Sequence, residues 1–311
     1  MEMRTVGSLE VSVAGLGCNN FGSKNDEHAT KAVVAAALDA GINHFDTADI
    51  YGRGRSEEFL GRALGARRDD VVITTKVGMG ARDGEAGGSE AHVTKGCDES
   101  LARLGTDRID LFLLHRPDPQ TPIAETLSAF AKLVAAGKVR EIGCSNFSGA
   151  QLAEAEAVAD DLGVPRFVNA QNDYSLLNRA VEGDVLPVCE RLGVVFMPYF
   201  PLASGMLTGK YRRGHEHPEN SRFVTWGKNA EHFATDERFA VTERLTEYAD
   251  AHGHTVPELA LSWLAGAPTV GSVIAGATSP EQVRQNAAAT GAWVLTDAER
   301  AEVDALTRVD G

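Results

Sequence analysis

The stretch ATKAVVAAALDAGINHFDTADIYG, residues 29–52, contains the structural unit that the rest of the chain repeats. Within it, residues 29–40 place apolar side chains three and four positions apart, which is the spacing of one face of a helix. Gly41 is a candidate C-cap, because glycine adopts the left-handed conformation at no steric cost. The apolar run 42–47 that follows has the length of a strand. The stretch therefore predicts a helix, a tight turn and a buried strand.

The same alternation of helical patterns and strand-sized runs continues along the chain. Helices are also predicted over 125–136, 152–161 and 181–192, and glycines 105, 137, 163 and 193 are candidate C-caps. The eight predicted strands cover residues 14–18, 42–47, 71–76, 109–115, 139–145, 167–171, 194–199 and 271–275. Strands that alternate with helices predict a parallel sheet with crossover helices. Eight of them favour a closed (α/β)8 TIM barrel over an open doubly wound sheet.

Three segments extend beyond the plain barrel. A hairpin-like stretch covers about residues 3–13, and a long polar insertion over 200–235 follows the seventh predicted strand. A helical tail is predicted over 297–307. No linker or low-complexity tract divides the chain, so we expect residues 1–311 to form a single domain.

Composition narrows the class of protein. The formal net charge of −14 argues against a nucleic-acid partner, whose phosphates require clustered Lys and Arg. No apolar run approaches the roughly 20 residues of a membrane span, and the N-terminus lacks the order of a signal peptide. The scattered cysteines 18, 97, 144 and 189 are typical of free thiols in a reducing compartment, so we expect a cytoplasmic protein.

Chemistry in a barrel of this kind lies at the carboxyl ends of the strands. The predicted strand ends carry Asp46, Lys76, His115, Ser145 with Asn146, Gln171, Tyr199 and Gly276. A buried ammonium must be paired, and Asp46 on the neighbouring strand is the natural partner for Lys76.

Tyr51 lies five residues after Asp46, in a loop that can turn its phenol over the mouth of the barrel. A phenol has an ordinary pKa of about 10, and a nearby cation lowers that pKa by stabilising the phenolate. His115 is placed to hydrogen-bond a substrate oxygen. Such a set can protonate an alkoxide as it forms from a carbonyl, so hydride addition is the reaction that it fits.

Five motifs in this order resemble the aldo-keto reductase family. They are GINHFDTADIYG (41–52), TTK (74–76), LLHRP (113–117), GKVREIGCSN (137–146) and PLASG (201–205). The resemblance spans about residues 4–290 and is closest to bacterial and potassium-channel-β-like branches. It implies an (α/β)8 barrel closed by an N-terminal hairpin, and an NADPH-dependent reduction of small carbonyl substrates.

The resemblance also implies residue roles. Tyr51 is the general acid, Lys76 and Asp46 tune it, and His115 orients the carbonyl. Ser145, Asn146 and Gln171 match positions that hydrogen-bond the nicotinamide carboxamide, and Tyr199 matches the aromatic residue that stacks on the ring. Further cofactor contacts are expected at Pro201, Leu202, Gly205, Leu207 and Lys210.

The adenosine phosphate is expected near the last strand. No GxGxxG follows the first strand, whereas residues 276–282 have the pattern of a helix start. Ser279 is the predicted N-cap, with Pro280 at the first position and Gln282 completing a capping box. A helix start attracts phosphate, and the resemblance favours contacts at Gly276, Thr278, Gln282, Gln285 and Asn286.

This region departs from the best-known branch of the family. That branch has a Lys and an Arg where this chain has Gly276 and Gln282. Lys210, Arg212, Arg222 and Arg284 are candidates for the missing charge, and NADH stays possible beside NADPH.

Other functions also fit parts of the pattern. Lys76 could form a Schiff base, as in a barrel aldolase, and channel-β-like relatives act as redox-sensing subunits that hold NADPH and turn over slowly. His215 and His217 alternate in a polar loop with no third ligand in sight, so a solvated loop is favoured over a metal site. The oligomeric state and the particular substrate stay open.

Overall fold

The computed structural model describes residues 1–79, 87–216, 218, 219, 221, 223, 224 and 233–308. It begins with an antiparallel hairpin of β1 (Met3–Val6) and β2 (Leu9–Ser12). Eight parallel strands follow: β3 (Ala14–Gly17), β4 (His44–Asp46), β5 (Val72–Val77), β6 (Ile109–Leu114), β7 (Val139–Ser145), β8 (Asn169–Gln171), β9 (Val195–Phe196) and β10 (Val273–Gly276). They pair in chain order, and β10 returns to pair with β3.

The barrel closes between β9 and β10 through a short seam. Phe196 N–H donates to the carbonyl of Thr269, and Gly271 N–H donates back to Phe196. Nearer the carboxyl end, Ile274 N–H donates to the carbonyl of Pro198. These bridges join the last pair of strands, so the predicted eight-stranded barrel is confirmed.

The hairpin closes the amino end of the barrel. Val6, Leu9 and Val11 are buried in one apolar cluster with Leu111 and Leu113, which lie on β6. These side chains fill the amino end with apolar atoms, so an open polar site is expected at the opposite, carboxyl end.

Ten helices are defined within the described residues. They are α1 (Glu27–Asp39), α2 (Arg55–Leu64), α3 (Glu90–Leu104), α4 (Ile123–Ala135), α5 (Gly149–Leu162), α6 (Val185–Leu192), α7 (Asp236–Ala251), α8 (Val256–Ala265), α9 (Pro280–Ala289) and α10 (Asp297–Leu306). Predicted helix ends agree to within a few residues, and Gly41, Gly105, Gly137, Gly163 and Gly193 all have positive φ. Among these elements, no helix combines the length and apolar character that crossing a membrane requires.

The predicted continuous helix 181–192 was wrong. A 3-10 turn over Ala180–Gly183 precedes α6, and Asp184 between them has φ −131° and ψ −70°. The Asp184 carboxylate accepts a hydrogen bond from Gly149 N–H at the start of α5. This tertiary contact ends the first turn before α6 begins.

Candidate active site at the barrel mouth

Lys76 is fully buried at the end of β5 and donates two hydrogen bonds. Its Nζ lies 2.6 Å from Asp46 Oδ1 and 2.8 Å from the Thr47 carbonyl oxygen. Burial lowers the pKa of Lys76, but Asp46, Tyr51 and Cys18 together raise it by more, so the pKa lies above its ordinary value. The structure therefore places a charged ammonium inside the barrel mouth, in the pairing that the sequence predicts.

Tyr51 begins a 3-10 turn, Tyr51–Gly54, between β4 and α2. Three consecutive residues of this turn, Gly52, Arg53 and Gly54, have positive φ values of 57°, 60° and 87°. Glycine is required at the first, because a Cβ at Gly52 would lie 2.6 Å from the Phe21 carbonyl oxygen. This tight turn lies against the loop after β3 and places the Tyr51 ring 5.3 Å from Lys76 Nζ.

The pKa of Tyr51 departs from the expected direction. Burial raises it, and although Lys76 lowers it, the net shift is upward. The sequence predicted the effect of the cation and not the larger effect of removing the phenol from water. In this structure the Tyr51 phenol is held in its protonated form, which is the form that can donate a proton.

His115 lies immediately after β6 and packs edge-on against Tyr51, with ring centroids 5.9 Å apart. Burial first, then the charges of Lys76 and Arg116, lowers the pKa of His115 to about 3. The imidazole is therefore neutral near pH 7, and its Nδ1 is buried without a hydrogen-bond partner in the described structure. A neutral ring keeps both one donor and one acceptor.

A second set of polar residues, connected by Asn146, lies beside Asp46, Tyr51, Lys76 and His115. Asn146, at φ 62°, donates from its amide to the His115 carbonyl oxygen and to Ser145 Oγ, and it accepts from the Tyr199 hydroxyl. Gln171 Nε2 donates instead to Asp46 Oδ2 at 2.8 Å. Ser145, Asn146 and Gln171, predicted to contact the carboxamide, thus all lie at the mouth. The side-chain amide of Gln171, however, is hydrogen-bonded to Asp46.

The segment after Tyr199 forms a compact turn, the 3-10 element Ala203–Thr208. Phe200, Ala203 and Ser204 have positive φ, as does Gly205, so the backbone here is folded tightly. Of the predicted contacts, Pro201 and Leu207 are buried, Leu202 is half-buried, and Lys210 folds over Gly205. The Ser204 Oγ is buried with no hydrogen-bond partner in the described structure. We did not predict Ser204, and only its place in PLASG marks it.

Side chains of the protein bond two of the amides at the helix start after β10. Ser279 caps α9, as predicted, and accepts from Gln282 N–H. The predicted capping box is different, since Gln282 Oε1 accepts from Thr278 N–H rather than from Ser279. The amides of Thr278 and Gln282 are therefore already hydrogen-bonded within the protein.

The remaining predicted phosphate contacts lie on the same turn and helix. Asn286 Nδ2 approaches the Gly276 carbonyl oxygen at 3.5 Å, and Gln285 donates to Glu281. Arg284 lines a cavity with Met1 and Glu2. Arg222 and His217 lie outside the described residues.

No metal site is found in the described part of the chain, where His, Cys, Asp and Glu form no group of three that could hold an ion. The four cysteines are free and buried.

A closed (α/β)8 barrel whose mouth holds a buried lysine–aspartate pair, a tyrosine and a neutral histidine is one of the barrel proteins that carry a polar site at the carboxyl ends of their strands. Comparison with known proteins specifies the class. A model of the aldo/keto reductase family matches residues 14–308, and the chain belongs to this family. Members of the family are NAD(P)H-dependent oxidoreductases.

Curated relatives cover most of the chain. A probable voltage-gated potassium channel subunit beta of Arabidopsis thaliana is 37% identical over 298 residues, which is 92% of this chain and 90% of the relative. An L-glyceraldehyde 3-phosphate reductase of Escherichia coli O157:H7 is 34% identical over 299 residues, 92% of this chain and 86% of the relative. The predicted family membership is confirmed.

Proposed function

We propose that this protein is an NADPH-dependent oxidoreductase that reduces aldehydes or ketones to alcohols, with Tyr51 as general acid. The observation that carries the proposal is the fully buried Lys76 ammonium, bonded to Asp46 and 5.3 Å from the Tyr51 ring. A protonated phenol beside a fixed cation suits proton donation, because the cation stabilises the phenolate that remains.

Each residue of the site has a distinct task in this mechanism. Tyr51 holds the proton at its phenol oxygen, and Lys76, fixed by Asp46, supplies a charge that does not move during the reaction. Neutral His115 positions the substrate oxygen through its ring N–H, because an imidazole of low pKa does not itself deliver a proton near pH 7. When bound, the nicotinamide supplies the hydride for the carbonyl carbon.

The residues present fit such a cofactor at one end of the site. The tight turn over 200–205 and the unpartnered Ser204 Oγ offer a backbone cradle and a polar atom for a phosphate. Ser145, Asn146 and Tyr199 would hold the nicotinamide end. Gly276, Thr278, Gln282, Gln285 and Asn286 would contact the adenosine end, and we propose NADPH over NADH there.

The acid role is tested by Tyr51→Phe, with Tyr248→Phe as the control. Tyr248 lies on α7 and bonds Glu302, so its substitution removes a hydroxyl remote from the mouth. Against the best aldehyde of a broad panel, Tyr51→Phe is expected to lower kcat at least about a hundredfold. Fluorescence titration should show unchanged NADPH affinity. Wild-type turnover in Tyr51→Phe would refute the assignment.

The relatives guide the choice of substrate. One of them is an L-glyceraldehyde 3-phosphate reductase, and Arg116 directly follows His115 on an exposed loop. Within the described structure Arg116 forms no ion pair, and its charge reaches His115. We propose small, sugar-derived and phosphorylated aldehydes as the first substrates to test, in a cytoplasmic protein.

A redox-sensing subunit with slow turnover is the second candidate, because a relative is a probable potassium channel subunit beta. Tight NADPH binding without reduction of any aldehyde in the panel would favour it. An aldolase that uses Lys76 is less well supported, since a Schiff base requires a neutral amine and the Asp46 pairing keeps Lys76 charged. Borohydride trapping at Lys76 would revive it.

A further inference from the structure

Two adjacent side chains in the first turn of α2 reach the ends of three barrel strands. Ser56 Oγ donates to the Cys18 carbonyl oxygen after β3 at 2.9 Å, and it lies 2.8 Å from Thr47 Oγ1 after β4. Glu57 Oε1 accepts from Thr75 Oγ1 on β5 at 2.6 Å. We call this set of contacts the Ser56–Glu57 clamp. It binds the residue after Asp46 and the residue before Lys76.

Both side chains of the clamp are buried completely. Burying a carboxylate is unfavourable unless its oxygens are hydrogen-bonded, and here both are. Arg103 on α3 donates from Nε to Glu57 Oε2 at 2.6 Å, and a second guanidinium nitrogen bonds Ser100. Glu57 is therefore fixed from behind by α3 while its other oxygen holds β5.

Tyr51 lies on the chain between β4 and the clamp. Its turn contains three left-handed residues in succession, and such a turn needs anchors at both ends to hold a single position. Asp46 on β4 provides the anchor before Tyr51, and the clamp provides the anchor after it. The strand that the clamp grips carries Lys76 at the next position.

We propose that the Ser56–Glu57 clamp is the device that holds the Tyr51 phenol in register with Lys76 and His115, which makes Ser56, Glu57 and Thr75 positioning residues for the proton-transfer step. The inference rests on the proposed function of Tyr51. A displacement of about 1 Å at a reacting group costs up to about a hundredfold in rate. Loosening the clamp should therefore lower kcat while substrate and cofactor binding persist.

The test uses Thr75→Val, which keeps the shape of the side chain and removes only its hydroxyl. We expect kcat to fall about ten- to a hundredfold, with KM and the NADPH dissociation constant within about twofold of wild type. The pKa of the acid in the kcat–pH profile should move, since the distance from Tyr51 to Lys76 changes. Thr75→Ser keeps the hydroxyl and should restore kcat, even though it loses a buried methyl group.

Thr242→Val is the matched control, because Thr242 is also buried and bonds the Arg238 carbonyl oxygen on α7, away from the mouth. If the role of Thr75 were purely structural, kcat would fall in proportion to thermal stability across Thr75→Val, Thr75→Ser and Thr242→Val. Alternatively, Thr75→Val and Thr242→Val would have the same kcat. Either result overturns the proposal. Loss of turnover in Tyr51→Phe together with full turnover in Thr75→Val would refute the positioning role of the Ser56–Glu57 clamp and leave the proposed role of Tyr51 standing. Full turnover in Tyr51→Phe would refute the proposed role of Tyr51, and with it the inference about the clamp.

Discussion

Two buried titratable residues lie near opposite ends of strand β6, and they differ in whether their polar atoms are hydrogen-bonded. Near its amino end, Asp110 is fully buried and accepts from Ile73 N–H at 2.9 Å, with Arg68 and Arg140 within 3.1 Å of its oxygens. Just beyond its carboxyl end, His115 keeps a buried nitrogen without a partner in the described structure. The saturated group stabilises the fold, and the unsaturated one is left to bind something else.

The charges of the Asp46–Lys76 pair at the mouth should affect kcat strongly and the free energy of unfolding little. Replacing both partners of the buried pair, in Asp46→Asn/Lys76→Met, leaves no uncompensated charge, so we expect the free energy of unfolding to change by less than about 2 kcal/mol. The same double variant should lower kcat about 10²–10⁴-fold, since Tyr51 loses its cation. Denaturant unfolding and steady-state kinetics measure the two effects, and a stable, fully active variant would break the contrast.

Substitution in the Asp110 network should have the reverse effect, lowering the free energy of unfolding and leaving kcat unchanged. Asp110→Asn leaves the guanidinium groups of Arg68 and Arg140 without their carboxylate, and we expect the free energy of unfolding to fall by about 3 kcal/mol. The kcat of the folded fraction should equal that of wild type. Asp98→Asn, which removes a solvent-exposed pair with Lys138, is the control and should cost less than about 1 kcal/mol. A loss of kcat in Asp110→Asn would remove the distinction between the two ends.

Asp49 lies between Asp110 and His115 in how well its polar atoms are hydrogen-bonded. Its carboxylate is partly buried near Glu57, with one oxygen unpartnered in the described structure, and burial first, then Glu57, raises its pKa to about 6. Its unfolded pKa is near 3.8, so the folded state binds the proton more tightly and stability falls as pH rises from about 4 to 6.

Asp49→Asn removes that penalty and should stabilise the protein by about 3 kcal/mol at pH 7.5, because folding raises the pKa of Asp49 from 3.8 to about 6. The gain should be about 1 kcal/mol smaller at pH 5, where the penalty is only partly developed. Urea unfolding at the two pH values measures it. Equal gains at both would show that the carboxylate has no raised pKa.

The smallest expected effect concerns Arg116, the exposed residue that follows His115. If the open end of β6 receives an anionic substrate, Arg116→Ala should raise KM for a phosphorylated aldehyde about tenfold and leave kcat unchanged. An uncharged aldehyde is the control, with KM within about twofold. The effect should shrink in high salt, because an exposed charge is screened. Equal changes for both aldehydes would argue against recognition of the anion.

The sequence predicted the parts of this contrast that depend on periodicity and on a general rule of burial. Eight alternating runs predicted the barrel, and the requirement for a partner predicted the Lys76–Asp46 pair. The Asp110 network was not predicted, because Arg68 and Arg140 come from other elements and nothing in their spacing shows that they converge.

Other features depend on distances that a sequence does not contain. The direction of the Tyr51 pKa shift required weighing burial against one cation, and the link from Glu57 to Thr75 required knowing how α2 lies against β5. Gln171 was predicted at the mouth, but its hydrogen bond to Asp46 follows only from the folded arrangement.

The seam between β9 and β10 has a consequence for resistance to proteolysis. β9 has two residues, and the isolated bridges Phe196–Val270 and Tyr199–Ile274 join its segment of the chain to that of the last strand. The proposed contacts at Tyr199 and in the turn that follows it leave from one side of this seam, at 199–210, and the proposed adenosine contacts leave from the other, at 276–286. A dinucleotide held by both would connect the two edges, so its binding energy would be added to the barrel across this seam. The coenzyme would then determine how long the folded chain survives a protease.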